Sequence, residues 1–433
     1  MLGTHRERQG MDMVTITPSP LCGTVKIPPS KSFAHRAIIS AFLSNSPCTV
    51  SNIELSKDIE ATLSCVKALG GNAEFDKKTH TVSFKKADKS CAEPPVLDCG
   101  ESGSTLRFFI PIALALVGGA SFKGHGKLME RPLEPYFEIF QKKGIKYHKT
   151  KNVLTLSGKL TSGEFSLDGS VSSQFLTGLL FALPILDGDS IIKIDGSLSS
   201  KGYVDITLDV LKNFGIEIEN LEYKTFLVKG NQKYTATNYT VEGDFSQAAF
   251  FLVAGALGCD VCCQGLRRDS LQGDKKITEI LEKAGAKVTW LDDNTLKASQ
   301  SPLMHGIMVD ADEIPDLVPI IAVLLSFCKG KSRIENAARL RLKESDRLAA
   351  IASELSKMGA DITEGADFLE ISGKQTLRGC DLSSWNDHRI AMALSVAACR
   401  AEGGISIKGA KKAITKSYPT FFDDYVKLGG NLK

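Results

Sequence analysis

The segment Leu281–Trp290, LEKAGAKVTW, passes from a helix to a strand about a single glycine. Before Gly285 the pattern is helical; after it the period becomes alternating, and Ala286, Val288 and Trp290 line one face of a strand. A glycine suits that junction because the helix C-cap needs a left-handed backbone. The same phrase returns as VKALGGNAEF at Val66, FQKKGIKYH at Phe140, LKNFGIEIE at Leu211, LSKMGADITE at Leu355 and VKLGGNLK at Val426. Its glycines, Gly70, Gly144, Gly215, Gly285, Gly359 and Gly429, stand 74, 71, 70, 74 and 70 residues apart. One such turn is commonplace, but six at near-constant spacing define a repeat. Units of this length exceed a solenoid repeat and carry both strands and helices, which makes the chain α/β. Six units divide into two domains of three. The expected bounds are 29–240 and 241–433, with the crossing near Asn238 to Glu242. The N-terminal strand, within 12–28, is expected to close the second domain.

At 433 residues the chain exceeds the usual size of one hydrophobic core, in keeping with two domains. Hydrophobic residues at 43% and charged residues at 24% are the balance of a soluble globular protein. A net charge of only +3 argues against a nucleic-acid partner, so any positive potential is local and suits a small anion. No apolar run is long enough to span a bilayer, which argues against a membrane partner. The eleven cysteines are scattered without a regular framework, pointing to reduced thiols in a cytoplasmic setting. Cys259, Cys262 and Cys263 offer one C-x-x-C spacing with no second pair. Their neighbours Val261 and Leu266 favour a buried strand there over a zinc site, and no metal is expected. The first ten residues, MLGTHRERQG, are polar and basic and stand outside the fold argument.

Basic residues gather at helix starts. PPSKSFAHRAIISAFLS, from Pro28, lets Ser30 or Ser32 cap a helix, with Lys31 at its mouth and Arg36 sharing a face with Ser32. CGESGSTLRFFIPIALAL, from Cys99, runs a glycine and hydroxyl turn into an apolar helix. Such a turn exposes backbone N–H groups to an anion, with Gly103 allowing close approach and Arg107 one turn in. It has neither P-loop nor nucleophile-elbow spacing. Arg131 precedes a proline in an extended loop, and Ser172, Ser173 and Gln174 open a further helix with neutral donors. In the second half, Asp316 follows Pro315 ahead of an apolar helix. RLRLKESDRLAAIASELSKMGA spaces Leu348, Ile351, Leu355 and Met358 as an amphipathic helix, whose first turn is expected to carry Lys343, Glu344, Asp346 and Arg347. Arg389 lies just inside the next helix, and Lys416 shortly before the last. Cations at helix N-termini oppose the helix dipole and need a compensating anion. Two such sets facing each other form a cleft for a ligand with several negative charges.

These motifs, PSKSxxxR, GESGSTLR, SSQFLTGLL, IPD, KESDR, DHRIAM and TKSYPxFF, resemble the enolpyruvyl transferase family over nearly the whole chain from Ile16, and in the family's order. The resemblance implies an inside-out α/β barrel of three βαβαββ units in each domain, with the active site in the cleft between them. It implies transfer of the enolpyruvyl group of phosphoenolpyruvate to the 5-hydroxyl of shikimate 3-phosphate, by a monomer without cofactor. Carried over by position, Lys31, Gly103, Arg131, Gln174, Arg347, Arg389 and Lys416 correspond to phosphoenolpyruvate contacts. Ser32, Arg36, Ser172, Ser173, Gln174, Ser200, Asp316 and Lys343 correspond to shikimate 3-phosphate contacts, with Tyr203 alongside. Lys31, Asp316 and Glu344 correspond to the proton-transfer groups, and Gly103 to the position tied to glyphosate sensitivity.

Arg339, Lys57 and Phe108 depart from residues common in the family, and no contact is carried over at position 339. The branch acting on a UDP-amino sugar has a cysteine acid in the loop before Arg131, and here Gly119 to Arg131 contains none. A non-catalytic anion-binding relative would be expected to lose Lys31, Asp316 or Glu344, and all are present.

Overall fold

All six repeat glycines adopt positive φ, between 69° and 93°, in the computed structural model, which describes residues 12–87 and 94–433. The ten N-terminal residues set aside above lie outside the described residues. Each glycine ends a helix and starts a strand, so the sequence repeat is also a structural one. Among the described residues the strands form six four-stranded sheets of one design, plus a separate two-stranded pair. In the second unit, for example, Val96–Asp98 and Gly119–Lys123 run parallel, and Val153–Ser157 and Lys146–Lys149 follow antiparallel.

Strands distant in sequence complete three of these sheets. Tyr239–Thr240 completes the first sheet beside Cys48–Ser51. Cys22–Lys26 completes the fourth beside Asp260–Gln264. Met13–Thr17 lies antiparallel between Ile405–Lys408 and Asn431–Leu432 in the sixth. There are accordingly two hydrophobic cores. One is built from residues between Phe33 and Val241; the other joins Val14 to Ile27 with Phe245 to Leu428.

The helices explain why the sheets lie outside. Phe245–Ala256, Val318–Ser326 and His388–Ala397 are buried at every residue. Lys31–Ser44, Gly103–Leu116 and Ser173–Ala182 are buried over most of their length. A helix apolar on all sides must sit in the interior, so each half packs three such helices centrally, surrounded by its sheets. The second helix of each unit is amphipathic. In Arg347–Lys357 and its C-cap Met358 the four residues with helical spacing, Leu348, Ile351, Leu355 and Met358, are all fully buried. One expectation is corrected here: this helix begins at Arg347, and Lys343 and Glu344 precede it. Asp346 is the cap, in extended conformation, and accepts the amide of Ala349 at 3.1 Å, which fixes the boundary.

The strand Asp260–Gln264 turns Val261 and Cys263 inward and leaves Cys262 partly exposed. Among the described residues no His, Cys, Asp and Glu cluster could hold a metal ion, and no helix is long and apolar enough to cross a membrane.

The repeat glycines differ in what surrounds them. A Cβ at Gly359 would meet nothing within 4 Å, whereas one at Gly285 would lie 2.6 Å from the Leu303 carbonyl oxygen. Gly359→Ala is therefore expected to cost about 1 kcal/mol, the left-handed backbone alone. Gly285→Ala adds a backbone clash in the same core and should cost roughly 1–3 kcal/mol more. Urea unfolding of the two variants checks that order.

Candidate active site

The six buried helices begin at one place. Lys31, Gly103, Ser173, Asp244, Asp316 and His388, each at or next to a helix start, all line a single cleft between the two halves. Amide N–H groups that have no partner inside a helix, together with the positive dipole ends, thus point at a common volume. Eight cationic side chains line it, Lys31, Arg36, Arg107, Arg131, Arg339, Lys343, Arg347 and Arg389, against the four carboxylates Asp58, Asp244, Asp316 and Glu344. Of the site residues expected from the sequence, the structure brings all but Lys416 to the cleft wall. Lys416 stands beside it, its ammonium bonded to Glu101 at 2.7 Å and to the carbonyl of Asn386 at 2.8 Å.

Arg347 is the hub of the second half. It is 1% exposed and donates to Asp387 at 2.8 Å, Asp316 at 2.7 Å and Glu344 at 2.5 Å. Arg389 reaches the other oxygen of Asp316 at 2.8 Å, and Lys343 stands 3.9 Å from that carboxylate. Burial pushes the Asp316 carboxyl up, but Arg389, Lys343 and Arg347 outweigh it and hold the group well below the usual range. Glu344 is likewise pushed up by burial and drawn further down by Arg347 and Arg131. Burial brings the Lys343 ammonium down to about 8 despite Asp316 beside it. His388 is lowered by burial and by Lys31.

The first half supplies a tighter pocket. Ser102 caps its helix by accepting the Thr105 amide, which places Gly103 against Arg131, Arg107 and Gln174. A Cβ at Gly103 would lie 2.9 Å from Nη1 of Arg131, so glycine is what allows that guanidinium its position. Gln174 is held at both ends, accepting from Arg107 at 2.6 Å and donating to Ser104 at 2.9 Å. Among the described residues, Nε of Arg107, Arg131 and Arg389 and both ring nitrogens of His388 are buried without a hydrogen-bond partner. Several buried donors aimed at one cleft call for an anionic acceptor.

Some placements differ from expectation. Neither Ser30 nor Ser32 caps the helix at Lys31 through its side chain; the Lys31 amide instead bonds Asp244 of the other half at 3.0 Å. Arg36 donates to Thr207, the Ser32 carbonyl and the Tyr203 carbonyl, and lies 5.2 Å from the ring centre of Phe108. Tyr203 crosses the cleft to Asp316 at 3.2 Å. Arg339 reaches Ser200 at 3.2 Å and also the backbone and side chain of Asp312, while Ser199 donates to Asp312 at 2.7 Å. Asp58, Asp244, Asp387, Glu101 and His388 were not singled out from the sequence. Asp387 and His388 are the exceptions with a local signal, since they adjoin Arg389 at a helix cap.

The sequence model of the family described as EPSP synthase (3-phosphoshikimate 1-carboxyvinyltransferase) matches residues 16–425. The chain is 50% identical over 426 residues to the 3-phosphoshikimate 1-carboxyvinyltransferase of Clostridium acetobutylicum, covering 98% of each. It is 47% identical over 433 residues to the protein of that name from Clostridioides difficile, covering 98% of each. Among solved structures, EPSP synthase from Acinetobacter baumannii superposes with a TM-score of 0.80 at 25% identity, over 97% of this chain and 99% of that one.

Asp387, fully buried, partners Arg347 and caps the helix that carries Arg389. Removing its charge leaves Arg347 with Asp316 and Glu344, so the cost should fall short of the roughly 3–5 kcal/mol of a fully orphaned buried charge. Asp387→Asn, which can still cap, is expected to lower the unfolding free energy by about 1–3 kcal/mol, read as a shift of the urea midpoint.

Proposed function

The chain belongs to the EPSP synthase family, and we propose that it transfers the enolpyruvyl group of phosphoenolpyruvate to the 5-hydroxyl of shikimate 3-phosphate, releasing phosphate, as a step of aromatic amino-acid biosynthesis in the cytoplasm. The two cores serve as domains, 29–240 and 241–433, with 12–28 belonging to the second. The observation that carries the reading is the cleft itself: buried, unpartnered cationic donors on both walls, facing a carboxylate pair.

In this reading Lys31, Gly103, Arg131, Gln174, Arg347, Arg389 and Lys416 receive phosphoenolpyruvate. Guanidinium groups suit its carboxylate and phosphate because they donate in planar forks. Ser32, Arg36, Ser172, Ser173, Gln174, Ser200, Asp316 and Lys343 receive shikimate 3-phosphate. The 5-hydroxyl oxygen bonds to C2 of the enol, loses its proton to a cleft base, and C3 gains one. The tetrahedral adduct then breaks its C2–O bond to phosphate as C3 returns a proton. Lys31, Asp316 and Glu344 carry these transfers, each worth on the order of 10²–10⁴ in rate.

The low carboxylate pKa values bear on when this can happen. Asp316 and Glu344 serve as the counterions of Arg347 and Arg389, and a carboxylate so held is a poor base. Substrate anions compete for the same cations, releasing the carboxylates towards a working range.

The direct test is phosphate release from phosphoenolpyruvate, assayed without metal or nucleotide, with shikimate 3-phosphate and a UDP-amino sugar in parallel. Release with shikimate 3-phosphate alone is expected; release with the sugar alone would overturn the substrate, and silence with both would overturn the activity. Gly103→Ala should raise KM for phosphoenolpyruvate several-fold by displacing Arg131, weaken glyphosate inhibition further, and leave shikimate 3-phosphate affinity within about twofold. Lys343 is protonated below about 8 and loses its charge above it. The affinity for shikimate 3-phosphate should therefore fall as pH rises through 8, and Lys343→Arg should flatten that dependence.

A further inference from the structure

Glu354 lies outside the cleft, on the helix Arg347–Lys357, and is completely buried. A carboxylate without solvent needs full hydrogen bonding, and Glu354 finds it in the loop that precedes the helix His388–Ala397. Its oxygens accept from the Ser383 amide at 2.9 Å, the Trp385 indole at 2.7 Å, and the Lys357 ammonium at 2.7 and 2.9 Å. Trp385 is 40% exposed, so its indole nitrogen is brought to this carboxylate rather than buried with a hydrophobic ring.

The loop so held is strained. Trp385 and Asn386 are consecutive non-glycine residues at φ 52° and 54°. Such residues persist in the left-handed region only where their surroundings over-determine them. What the strained backbone delivers lies next in sequence. The Asn386 carbonyl points to the Lys416 ammonium at 2.8 Å, and Asp387 meets Nε of Arg347 at 2.8 Å. Two of the cations assigned above to phosphoenolpyruvate are thus oriented by neighbouring groups of one short loop, and Glu354 clamps that loop from behind.

We propose that Glu354 is a positioning residue for phosphoenolpyruvate, acting through the clamped loop Ser383–Asp387 to orient Lys416 and Arg347. The assignment of those two cations rests on the function proposed above. Of the shikimate 3-phosphate contacts only Asp316 reaches the loop, and only through Arg347, so the effect falls chiefly on phosphoenolpyruvate.

The test uses Glu354→Gln, which keeps the shape but loses the charge and one acceptor, and Trp385→Phe, which deletes only the indole donor at a partly exposed site. Deletion of one such bond should raise KM for phosphoenolpyruvate roughly three- to tenfold, with shikimate 3-phosphate affinity within about twofold and an unchanged melting temperature for Trp385→Phe. Amide hydrogen exchange, followed by mass spectrometry, should quicken in peptides spanning 383–389 and not elsewhere in the cleft. Unchanged exchange there, or equal losses for both substrates, would overturn the proposal. If the unmodified chain released no phosphate with shikimate 3-phosphate, the proposed function would fall, while the exchange measurement would still decide whether Glu354 holds the loop.

Discussion

The structure depends on one constraint: six helices apolar on every side must be buried, and each begins at the same cleft. Burial of Phe245–Ala256, Val318–Ser326 and His388–Ala397 in one half, and of their three counterparts in the other, leaves no free choice about where their N-termini emerge. Packed side by side in one sense, they direct unpaired amides and positive dipole ends into a shared volume. The hydrophobic effect therefore builds the electrostatics of the site. Cationic side chains placed at those same ends raise the potential further, at a cost that anionic partners relieve.

The carboxylates show how that cost is met without ligand. Arg347 would be a buried unpaired charge without Asp316, Glu344 and Asp387, and such a charge costs several kcal/mol. Two of the three neutralising groups, Asp316 and Glu344, are also the ones that face the cleft; Asp387, fully buried, stays behind with the helix it caps. The ion network is thus divided between a fixed part and an exchangeable part. Under the proposed function, an anion bound there would exchange partners within it and shift the proton affinity of the groups set free, coupling occupancy of the cleft to acid–base readiness.

How much of this was legible in sequence follows the distance between partners. The glycine repeat, the amphipathic spacing from Leu348 to Met358 and the basic residues at helix starts are local patterns, and the structure reproduces each. The helix boundary at Arg347 was misplaced because KESDR reads as a charged first turn until Asp346 is recognised as its cap. Nothing near Lys31 discloses that Asp244 caps its amide, since the two lie 213 residues apart. Nor could the pairing of Tyr239–Thr240 with Cys48–Ser51 or the clasp of Arg339 with Ser200 and Asp312 be read locally. Lys416 was found by its motif, but its Glu101 and Asn386 partners were not, because closure of the fold alone brings them together.

The two chain crossings then limit how the halves can move. They are not slack linkers. Pro29 and Gly243 face each other in an antiparallel bridge, flanked by hydrogen bonds from Ser30 to Glu242 at 2.7 Å and from Asp244 to Pro28 at 2.9 Å. Consecutive prolines fix the backbone on one side. On the other, a Cβ at Gly243 would lie 2.4 Å from the Gly265 carbonyl oxygen, so the strand is pressed against its neighbour. Any rotation of one half against the other would be smallest at this bridge and larger away from it. The bond from the Lys31 amide to Asp244 adjoins that bridge. The Arg131–Glu344 pair at 3.8 Å, the Lys416–Glu101 pair at 2.7 Å and the Arg339–Ser200 contact join the walls further out. Those contacts would part if the halves opened, and Arg131, Glu344, Ser200 and Lys416 among them are side chains that the proposed function assigns to substrate or proton transfer. A closing rotation would bring these groups together in one step, with Lys31 already bonded beside the bridge.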